Sequence, residues 1–174
     1  MVKAVQVILG SDSDEPVFLD SKFEPTLKRL GIDVLYDIAS AHRHPEKVKQ
    51  VCETAWANGV HVFTGVAGKA AHLTGAIAAH VPVAFVVGIP LKTEPFGVKD
   101  AMLAMLSMPA GRVVVPVLDF YNAALVVAQA FAIGDEDIAQ GLVELMLLND
   151  SAKPPQLGLD VAVRRQLLAD RRLQ

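Results

Sequence analysis

The sequence predicts an α/β fold, a three-layer sandwich in which helices cover both faces of a five-stranded parallel sheet. Short apolar, β-branched segments alternate along the chain with helical patterns, as expected when parallel strands are joined by helices. The first of these segments is apolar throughout, which is typical of a strand buried on both faces. The chain has 174 residues, which fits one domain with a full core.

Each of the predicted strands is short and bounded by turn residues. Ala4–Leu9 is continuous, apolar and followed by Gly10. The other predicted strands are Val34–Ala39, Val60–Val66, Val83–Val87 and Val113–Leu118. Five strands without a second domain favour the flavodoxin-like strand order.

Helices are predicted between the strands and after the last of them. The first, Glu15–Leu30, is closed by Gly31, and we expect Pro25 to kink or interrupt it. The second begins at Pro45 and runs to Asn58. The others are Ala70–His80, Val98–Ser107, Asn122–Ile133 and Asp135–Asn149.

The C-terminal residues differ in composition from the rest of the chain. A polar stretch with Pro154 and Pro155 precedes a short helical pattern that starts at Asp160. We therefore expect residues 1–150 to form a single α/β catalytic domain, and residues 151–174 to form a linker and a C-terminal helical extension.

Charge and cysteine content narrow the class of protein. Sixteen basic and nineteen acidic residues give a net charge of -3, so no nucleic-acid or membrane partner is expected. The single cysteine, Cys52, excludes an internal disulfide and a cysteine metal cluster, and its helical spacing from Trp56 predicts a buried thiol. No leader segment and no apolar run long enough to cross a bilayer is recognisable, which predicts a cytoplasmic protein.

Apolar residues make up 52% of the chain although only 6% are aromatic. The segments Ala70–Ala79 and Ala123–Ile133 are the longest apolar stretches, and the first is apolar or small on every side. So small a domain has limited interior in which to bury such a helix. We therefore expect a homo-oligomer, with these segments near its contacts.

Chemically useful residues cluster in the loops that follow the predicted strands, where ligands bind in parallel sheets. These loops are Gly10–Asp14, Ser40–Pro45, Gly65–His72 and Gly88–Pro90. The loops at the opposite edge are plain turns. The predicted site comprises Gly10, Ser11, Ser13, Asp14, Ser40, Ala41, His42, Arg43, Ala67, Gly68, Lys69, His72 and Leu73.

The first loop places Ser11, Ser13 and Asp14 at a helix N-terminus, where backbone N–H groups favour a phosphate. Plain helix capping explains these residue types equally well. Asp14 would repel a phosphate, so ribose hydroxyls suit it better. The loop matches neither a Walker sequence nor a dinucleotide-binding fingerprint.

The second loop sets a histidine beside an arginine. Arg43 offers a fork of donors for phosphate, and His42 is a residue type that can take and give a proton near neutral pH. We therefore predict that His42 is catalytic. His72 is expected to line the same cavity, His44 to be passive, and a metal site formed by these three histidines is not favoured.

The same residues carry a family resemblance. Gly-Ser-x-Ser-Asp, Ser-Ala-His-Arg-x-Pro and Ala-Gly-x-Ala-Ala-His-Leu-x-Gly follow the first three strands, and Met108-Pro109-x-Gly111 and Asn122–Leu125 come later. Together they resemble the aminoimidazole ribonucleotide carboxylase/mutase family of purine synthesis, over about Val5 to Asn149.

The resemblance implies a homo-octamer with no metal and no organic cofactor. We expect a homo-oligomer, either a tetramer or an octamer. It implies that Ser11, Ser13 and Arg43 hold the phosphate of a ribonucleotide and that Asp14 holds the ribose. His42 would move the proton while a carboxyl group is placed on carbon 4 of the imidazole, with carbon dioxide as the second reactant.

Two subfamilies share this pattern. One moves the carboxyl group from the exocyclic nitrogen of the substrate, and the other uses dissolved carbon dioxide. Arg43 and Ala70–Leu73 resemble the mutase, whereas Lys69, Thr74 and the short connection Leu118–Tyr121 favour the carboxylase. We predict the mutase, because the agreeing residues are nearest the reacting atoms.

Three other hypotheses remain at this stage. A nucleotide-binding regulatory oligomer would need Ser11, Ser13, Asp14 and Arg43 but not His42. A flavin-binding electron carrier would share the fold, although the first loop lacks a Thr/Ser-rich phosphate cradle and the later loops lack flanking aromatics. A carboxylase of a pyridine nucleotide is the third.

Overall fold

A computed structural model describes residues 2–149 of the chain. The chain divides into two compact units, residues 1–142 and residues 143–174. The first holds the sheet and every site residue discussed below. Of the second, only the end of one helix is described. The predicted linker and C-terminal helix lie outside the described residues, so the proposed domain boundary stays a prediction.

The sheet has five parallel strands in the order β2-β1-β3-β4-β5, which confirms the predicted flavodoxin-like fold. Its strands are β1 (Ala4–Leu9), β2 (Asp33–Ile38), β3 (Val62–Ala67), β4 (Phe85–Pro90) and β5 (Val115–Pro116). β1 and β3 are buried along their whole lengths, as their apolar sequences predict. The carboxyl ends of β2 and β3 therefore lie on either side of β1.

The helices follow the predicted order with shifted ends. They are α1 (Glu15–Leu19), α2 (Phe23–Arg29), α3 (Pro45–Ala57), α4 (Leu73–His80), α5 (Lys99–Leu106), α6 (Phe120–Ala132) and α7 (Glu136–Asn149). Buried side chains of α3, α4 and α5, among them Cys52, Ile77 and Met105, join Ile8 and Phe63 in one core. None of the described helices combines the length and the apolar character that crossing a membrane requires.

The prediction of a single helix over Glu15–Leu30 is wrong. The chain forms two helices there, and the break lies before Phe23 and not at Pro25. Ser21 Oγ accepts a hydrogen bond from Phe23 N at 3.2 Å where α2 begins. Pro25 lies in the first turn of α2, where a backbone N–H has no partner within the helix and its loss costs little.

The start of α4 and the position of β4 also differ from the prediction. Ala70 lies outside α4, because residues 69–72 form two tight turns in which Ala71 N donates to Lys69 O and His72 N donates to Ala70 O. β4 runs through Gly88 to Pro90, a segment that the sequence suggested was a loop. Gly88 fits inside the sheet because its missing side chain leaves room for Met105.

Candidate functional site

A cavity of about 540 Å³ opens at the carboxyl edge of the sheet. It is formed by the loops that follow β1, β2 and β3. Its lining residues are Gly10, Ser11, Ser13, Asp14, Ser40, Ala41, His42, Arg43, Ala67, Gly68, Lys69, Ala70, Ala71, His72, Leu73 and Thr93. Every residue of the predicted site is among them, so the fold brings together what the sequence placed in separate loops.

The first loop is a single turn of 3-10 helix, Asp12–Asp14, that leads into α1. Ser11 caps it, since its Oγ accepts from Ser13 N at 3.3 Å and lies 3.0 Å from Ser13 Oγ. Gly10 N donates to Val66 O at 2.9 Å, which ties the end of β1 to β3. Ser11 therefore caps the 3-10 helix, and its hydroxyl group lies beside that of Ser13 in the cavity wall.

Asp14 lies half-buried behind these hydroxyls. Burial raises the pKa of its carboxyl group, and hydrogen bonds from Ser13, Ser11 and Gly10 and the charge of Arg43 partly oppose that rise. A side chain at Gly10 would come within 3.4 Å of Asp14 Oδ2 and 3.3 Å of Ala67 Cβ. The small residue at position 10 therefore lets the carboxyl group fit closely against the end of the sheet.

The second loop is a tight turn held by Ser40. Its carbonyl oxygen accepts from His44 N at 2.8 Å, and its Oγ accepts from Arg43 N at 3.3 Å. The turn ends where Pro45 starts α3, and it leaves the side chains of His42 and Arg43 exposed at the cavity. Ser40 thus serves to shape the loop that presents these two side chains.

The two cavity histidines are in direct contact. His42 Nε2 lies 3.0 Å from His72 Nδ1, and the rings meet edge to face with centroids 5.0 Å apart. A contact of this length between two imidazole nitrogens is a hydrogen bond in which one nitrogen donates and the other accepts. The pair therefore holds a proton between two residues from loops on opposite sides of β1.

A packing notch in the sheet positions α4, the helix that follows His72. Gly65 and Gly88 are register partners on β3 and β4, and side chains there would lie 2.6 Å and 3.1 Å from Thr74 Cγ2. The methyl group of Thr74 fills this notch. Its hydroxyl and that of Thr64 are fully buried and have no hydrogen-bond partner among the described residues.

Sequence reasoning missed Thr93 in the cavity wall. It follows β4, and its Oγ1 accepts a hydrogen bond from Lys69 N at 3.2 Å. The only signal in the sequence is its position just after the fourth strand, because polar residues at that edge of a parallel sheet face the ligand site. Ala70 and Ala71, which belong to a recognised motif, were also not among the predicted site residues.

Other histidine and cysteine residues lie outside this cavity. His44 lines a neighbouring cavity of about 630 Å³ that shares Ser11 and Arg43 with the first. His61 packs against Trp56, with ring centroids 4.3 Å apart. Cys52 is buried as predicted, and burial raises the pKa of its thiol to about 12. Among residues 2–149, no three His, Cys, Asp or Glu side chains are grouped as metal ligands would be.

The fold and this polar cavity define a flavodoxin-like α/β protein whose candidate site lies at the carboxyl edge of its sheet. The chain belongs to the AIR carboxylase family, whose sequence pattern matches residues 4–150. It is an enzyme of that family. The match spans all five strands and every residue that lines the cavity.

Several curated proteins are similar to this chain. It is 35% identical over 144 residues to the N5-carboxyaminoimidazole ribonucleotide mutase of Thermotoga maritima, covering 80% of this chain and 81% of the relative. It is 36% identical over 147 residues to the Brucella melitensis protein of the same name, with 80% and 87% covered. An Archaeoglobus fulgidus protein named phosphoribosylaminoimidazole carboxylase is 36% identical over 143 residues, with 82% and 76% covered.

A solved structure supports the same assignment. The crystal structure of Treponema denticola PurE superimposes with a TM-score of 0.77 and 28% identity, covering 84% of this chain and 90% of that one.

Proposed function

We propose that this protein acts in purine synthesis as an N5-carboxyaminoimidazole ribonucleotide mutase, moving a carboxyl group from the exocyclic nitrogen to carbon 4 of the imidazole. The observation that carries the proposal is the contact of 3.0 Å between His42 and His72 in a cavity that also holds Ser11, Ser13 and Arg43. Membership of the AIR carboxylase family and the names of the Thermotoga and Brucella relatives support it.

The phosphate of the nucleotide binds between the first two loops. Ser11 and Ser13 supply hydroxyl donors 3.0 Å apart, and Arg43 supplies a guanidinium whose paired N–H groups match a phosphate. Asp14, set behind the serines, accepts hydrogen bonds from the ribose hydroxyls. The imidazole then extends toward the third loop and the two histidines.

The reaction needs two proton transfers, one to the exocyclic nitrogen and one from carbon 4. The bond between the exocyclic nitrogen and the carboxyl carbon breaks, carbon dioxide leaves, and the electron pair stays on nitrogen, which takes a proton from His42. Carbon 4, made electron-rich by the amino group, attacks carbon dioxide and forms the new carbon–carbon bond. His42 removes the proton from carbon 4, and the ring regains its aromaticity. The net proton count is zero.

His72 supports this exchange. Its Nδ1 pairs with His42 Nε2, so it orients the His42 ring and fixes which of the two nitrogens carries the proton. Because His42 gives one proton to the exocyclic nitrogen and recovers one from carbon 4, the reaction needs no further acid or base. We propose no metal and no organic cofactor.

The second candidate is the direct carboxylase, which takes dissolved carbon dioxide. The Archaeoglobus relative, which is 36% identical to this chain, is named as a carboxylase. Lys69 and Thr74 also favour it, as the sequence indicated. Both reactions share the free aminoimidazole nucleotide and the same proton transfer, so they differ in the source of carbon dioxide and not in the role of His42.

A substrate comparison tests the proposal. Purified protein is given the N-carboxylated nucleotide in carbon-dioxide-depleted buffer and, separately, the free nucleotide with bicarbonate. Faster conversion of the first is expected. Turnover of the free nucleotide alone would replace the mutase with the carboxylase. Binding of either nucleotide without turnover would favour the regulatory oligomer instead.

The assembly and the location belong to the proposal as well. We propose a homo-oligomer, a tetramer or an octamer, in the cytoplasm. Exposed apolar side chains such as Val83, Val113 and Ile133 support the assembly, because a lone subunit would leave them in water.

A further inference from the structure

Lys69 has an unusual backbone conformation for a lysine. Its φ is +54°, in the left-handed region where a side chain with a Cβ is disfavoured. Among residues 2–149 it is the one residue other than glycine with a positive φ. Strain of this kind persists where surrounding structure enforces it, and it is concentrated at functional sites.

Thr93 enforces this conformation from the loop after β4. Its Oγ1 accepts from Lys69 N at 3.2 Å, and a side chain at Gly68 would lie only 2.5 Å from Thr93 Cγ2. Thr93 is itself held by two backbone hydrogen bonds of 2.8 Å with Gly97, one in each direction. One side chain therefore contacts both residues of the Gly68–Lys69 turn.

Lys69 is one of the residues that line the cavity. The side chain is exposed, and in the part of the chain that the structure describes no carboxylate lies within salt-bridge distance of Nζ. A strained lysine in the cavity lining, with no carboxylate partner among residues 2–149, suits an anionic group of the ligand better than a role in the fold.

The position of Lys69 relative to Arg43 suggests which anionic group this is. Arg43 follows β2 and Lys69 follows β3, and these strands pair with opposite sides of β1. Neighbouring strands lie about 4.8 Å apart, so the two loops start about 10 Å apart across the cavity. A carboxylated nucleotide has a phosphate at one end and a carboxylate at the other. Arg43 suits the first, which leaves Lys69 for the second.

We propose that Lys69 is the specificity-determining residue that binds the substrate carboxylate, and that Thr93 is the positioning residue that holds Lys69 in place. This inference rests on the proposed function. The ammonium donates a charge-assisted hydrogen bond to the carboxylate before transfer and to the same group on carbon 4 afterwards. It makes no such contact with the free aminoimidazole nucleotide.

Binding of two nucleotides separates this role from a general effect of charge. Calorimetry compares the carbon-4 carboxylated nucleotide with the free aminoimidazole ribonucleotide. Lys69→Met keeps a side chain of similar length and the same φ requirement but removes the ammonium. It should weaken binding of the carboxylated nucleotide by roughly tenfold to a hundredfold and leave the free nucleotide within about twofold. Lys69→Arg should restore most of the loss.

Thr93 is tested by variants that separate its hydroxyl from its shape. Thr93→Val keeps the methyl contact with Gly68 but cannot accept from Lys69 N, and it should weaken binding of the carboxylated nucleotide by roughly twofold to tenfold. Thr93→Ser keeps the hydroxyl and should rescue most of the affinity. In the Lys69→Met variant, adding Thr93→Val should not weaken binding of the carboxylated nucleotide further. Thr93 acts only by positioning the ammonium, which this variant lacks.

The outcomes distinguish this inference from the proposed function. If Lys69→Met weakens both nucleotides equally, or neither, Lys69 does not recognise the carboxylate, while a wild-type protein that turns over still supports the proposed function. An additive loss in the Lys69→Met, Thr93→Val double variant would overturn the positioning role of Thr93. If the wild type binds neither nucleotide, the proposed function is wrong, and the role of Lys69 that depends on it is wrong as well.

Discussion

His42 Nε2 lies 3.0 Å from His72 Nδ1, although the two residues come from loops that follow different strands. His42 follows β2 and His72 follows the turn after β3. Because β2 and β3 lie on either side of β1, the contact bridges the space above the first strand. The phosphate-binding groups proposed for the first loop line the same cavity as the imidazole pair.

Replacing His42 should abolish turnover while leaving nucleotide binding intact. His42→Asn keeps a polar side chain but removes the ring that exchanges protons. General acid–base catalysis is typically worth about 10²–10⁴ in rate, and both half-reactions use it here. The rate constant is measured by single turnover, and binding is measured by calorimetry. A variant that keeps more than a tenth of the wild-type rate would show that His42 is not the proton-transfer residue.

His72 should matter less than His42 and in a different way. His72→Ala removes the partner that orients the His42 ring but not the ring itself. A neutral hydrogen bond contributes about 0.5–1.5 kcal/mol, so kcat should fall roughly tenfold or less with KM little changed. His80→Ala, at the far end of α4, is the matched control and should keep the wild-type rate. A loss as large as that of His42→Asn would assign the proton transfer to the pair as a unit.

The strand order and the loops that line the cavity were predictable because they depend on local signals. Continuous apolar strands fix which loops share an edge, so the loops that carry His42 and Lys69 could be placed at one edge of the sheet before any distance was known. The contact with Thr93 was not predictable, since it joins residues 24 positions apart through a hydroxyl and a strained turn. No pattern in the sequence marks a left-handed lysine.

The errors in the elements share a physical cause, which is tertiary packing that overrides local preference. Pro25 and Gly88 are both residues that normally interrupt structure. Pro25 is accommodated in the first turn of α2, where a backbone N–H has no partner within the helix. Gly88 is accommodated in β4 because Met105 and Thr74 occupy the space that a side chain would need. In β5, the predicted six residues shrink to Val115–Pro116, because Pro116 has no N–H to donate to a ladder.

Affinity for the nucleotide should depend on its phosphate. Arg43→Ala and Ser13→Ala should each weaken binding of the nucleotide monophosphate, since a hydrogen bond to a charged group is worth about 1.5–3 kcal/mol. The expected loss is roughly tenfold to a hundredfold for Arg43→Ala and smaller for Ser13→Ala. Lys49→Ala, an exposed change on α3 outside both cavities, is the control for general charge. Equal affinity of the wild type for nucleoside and nucleotide would refute the phosphate site.

Light scattering should show an assembly larger than a dimer. Ile133 follows α6 and is 82% exposed in the single subunit, within a segment that the sequence places near a contact. Ile133→Glu should shift the protein toward smaller species, because a carboxylate in an apolar contact must lose its hydration. Gln129→Glu adds the same charge at an exposed position of α6 and should shift it less. A stable monomer at micromolar concentration would contradict the assembly.

Asp14 should make the stability of the protein depend on pH. Burial raises the pKa of its carboxyl group above the ordinary value of 3.8, so the folded state holds this proton more tightly than the unfolded state does. Stability is therefore lost as pH rises from the unfolded to the folded pKa, and above that window the full penalty of the buried charge remains.

Asp14→Asn removes that charge and should raise the melting temperature at pH 7 relative to the wild type. The gain should shrink as pH falls below 3.8, where the wild-type carboxyl group is also neutral. Asp12→Asn, an exposed change in the same turn, should alter the melting temperature less at either pH. The same Asp14→Asn protein should bind the ribonucleotide more weakly, because an amide is a poorer acceptor for ribose hydroxyls than a carboxylate. A fall in melting temperature at pH 7 would mean that the contacts with Ser13 and Arg43 outweigh the cost of burial.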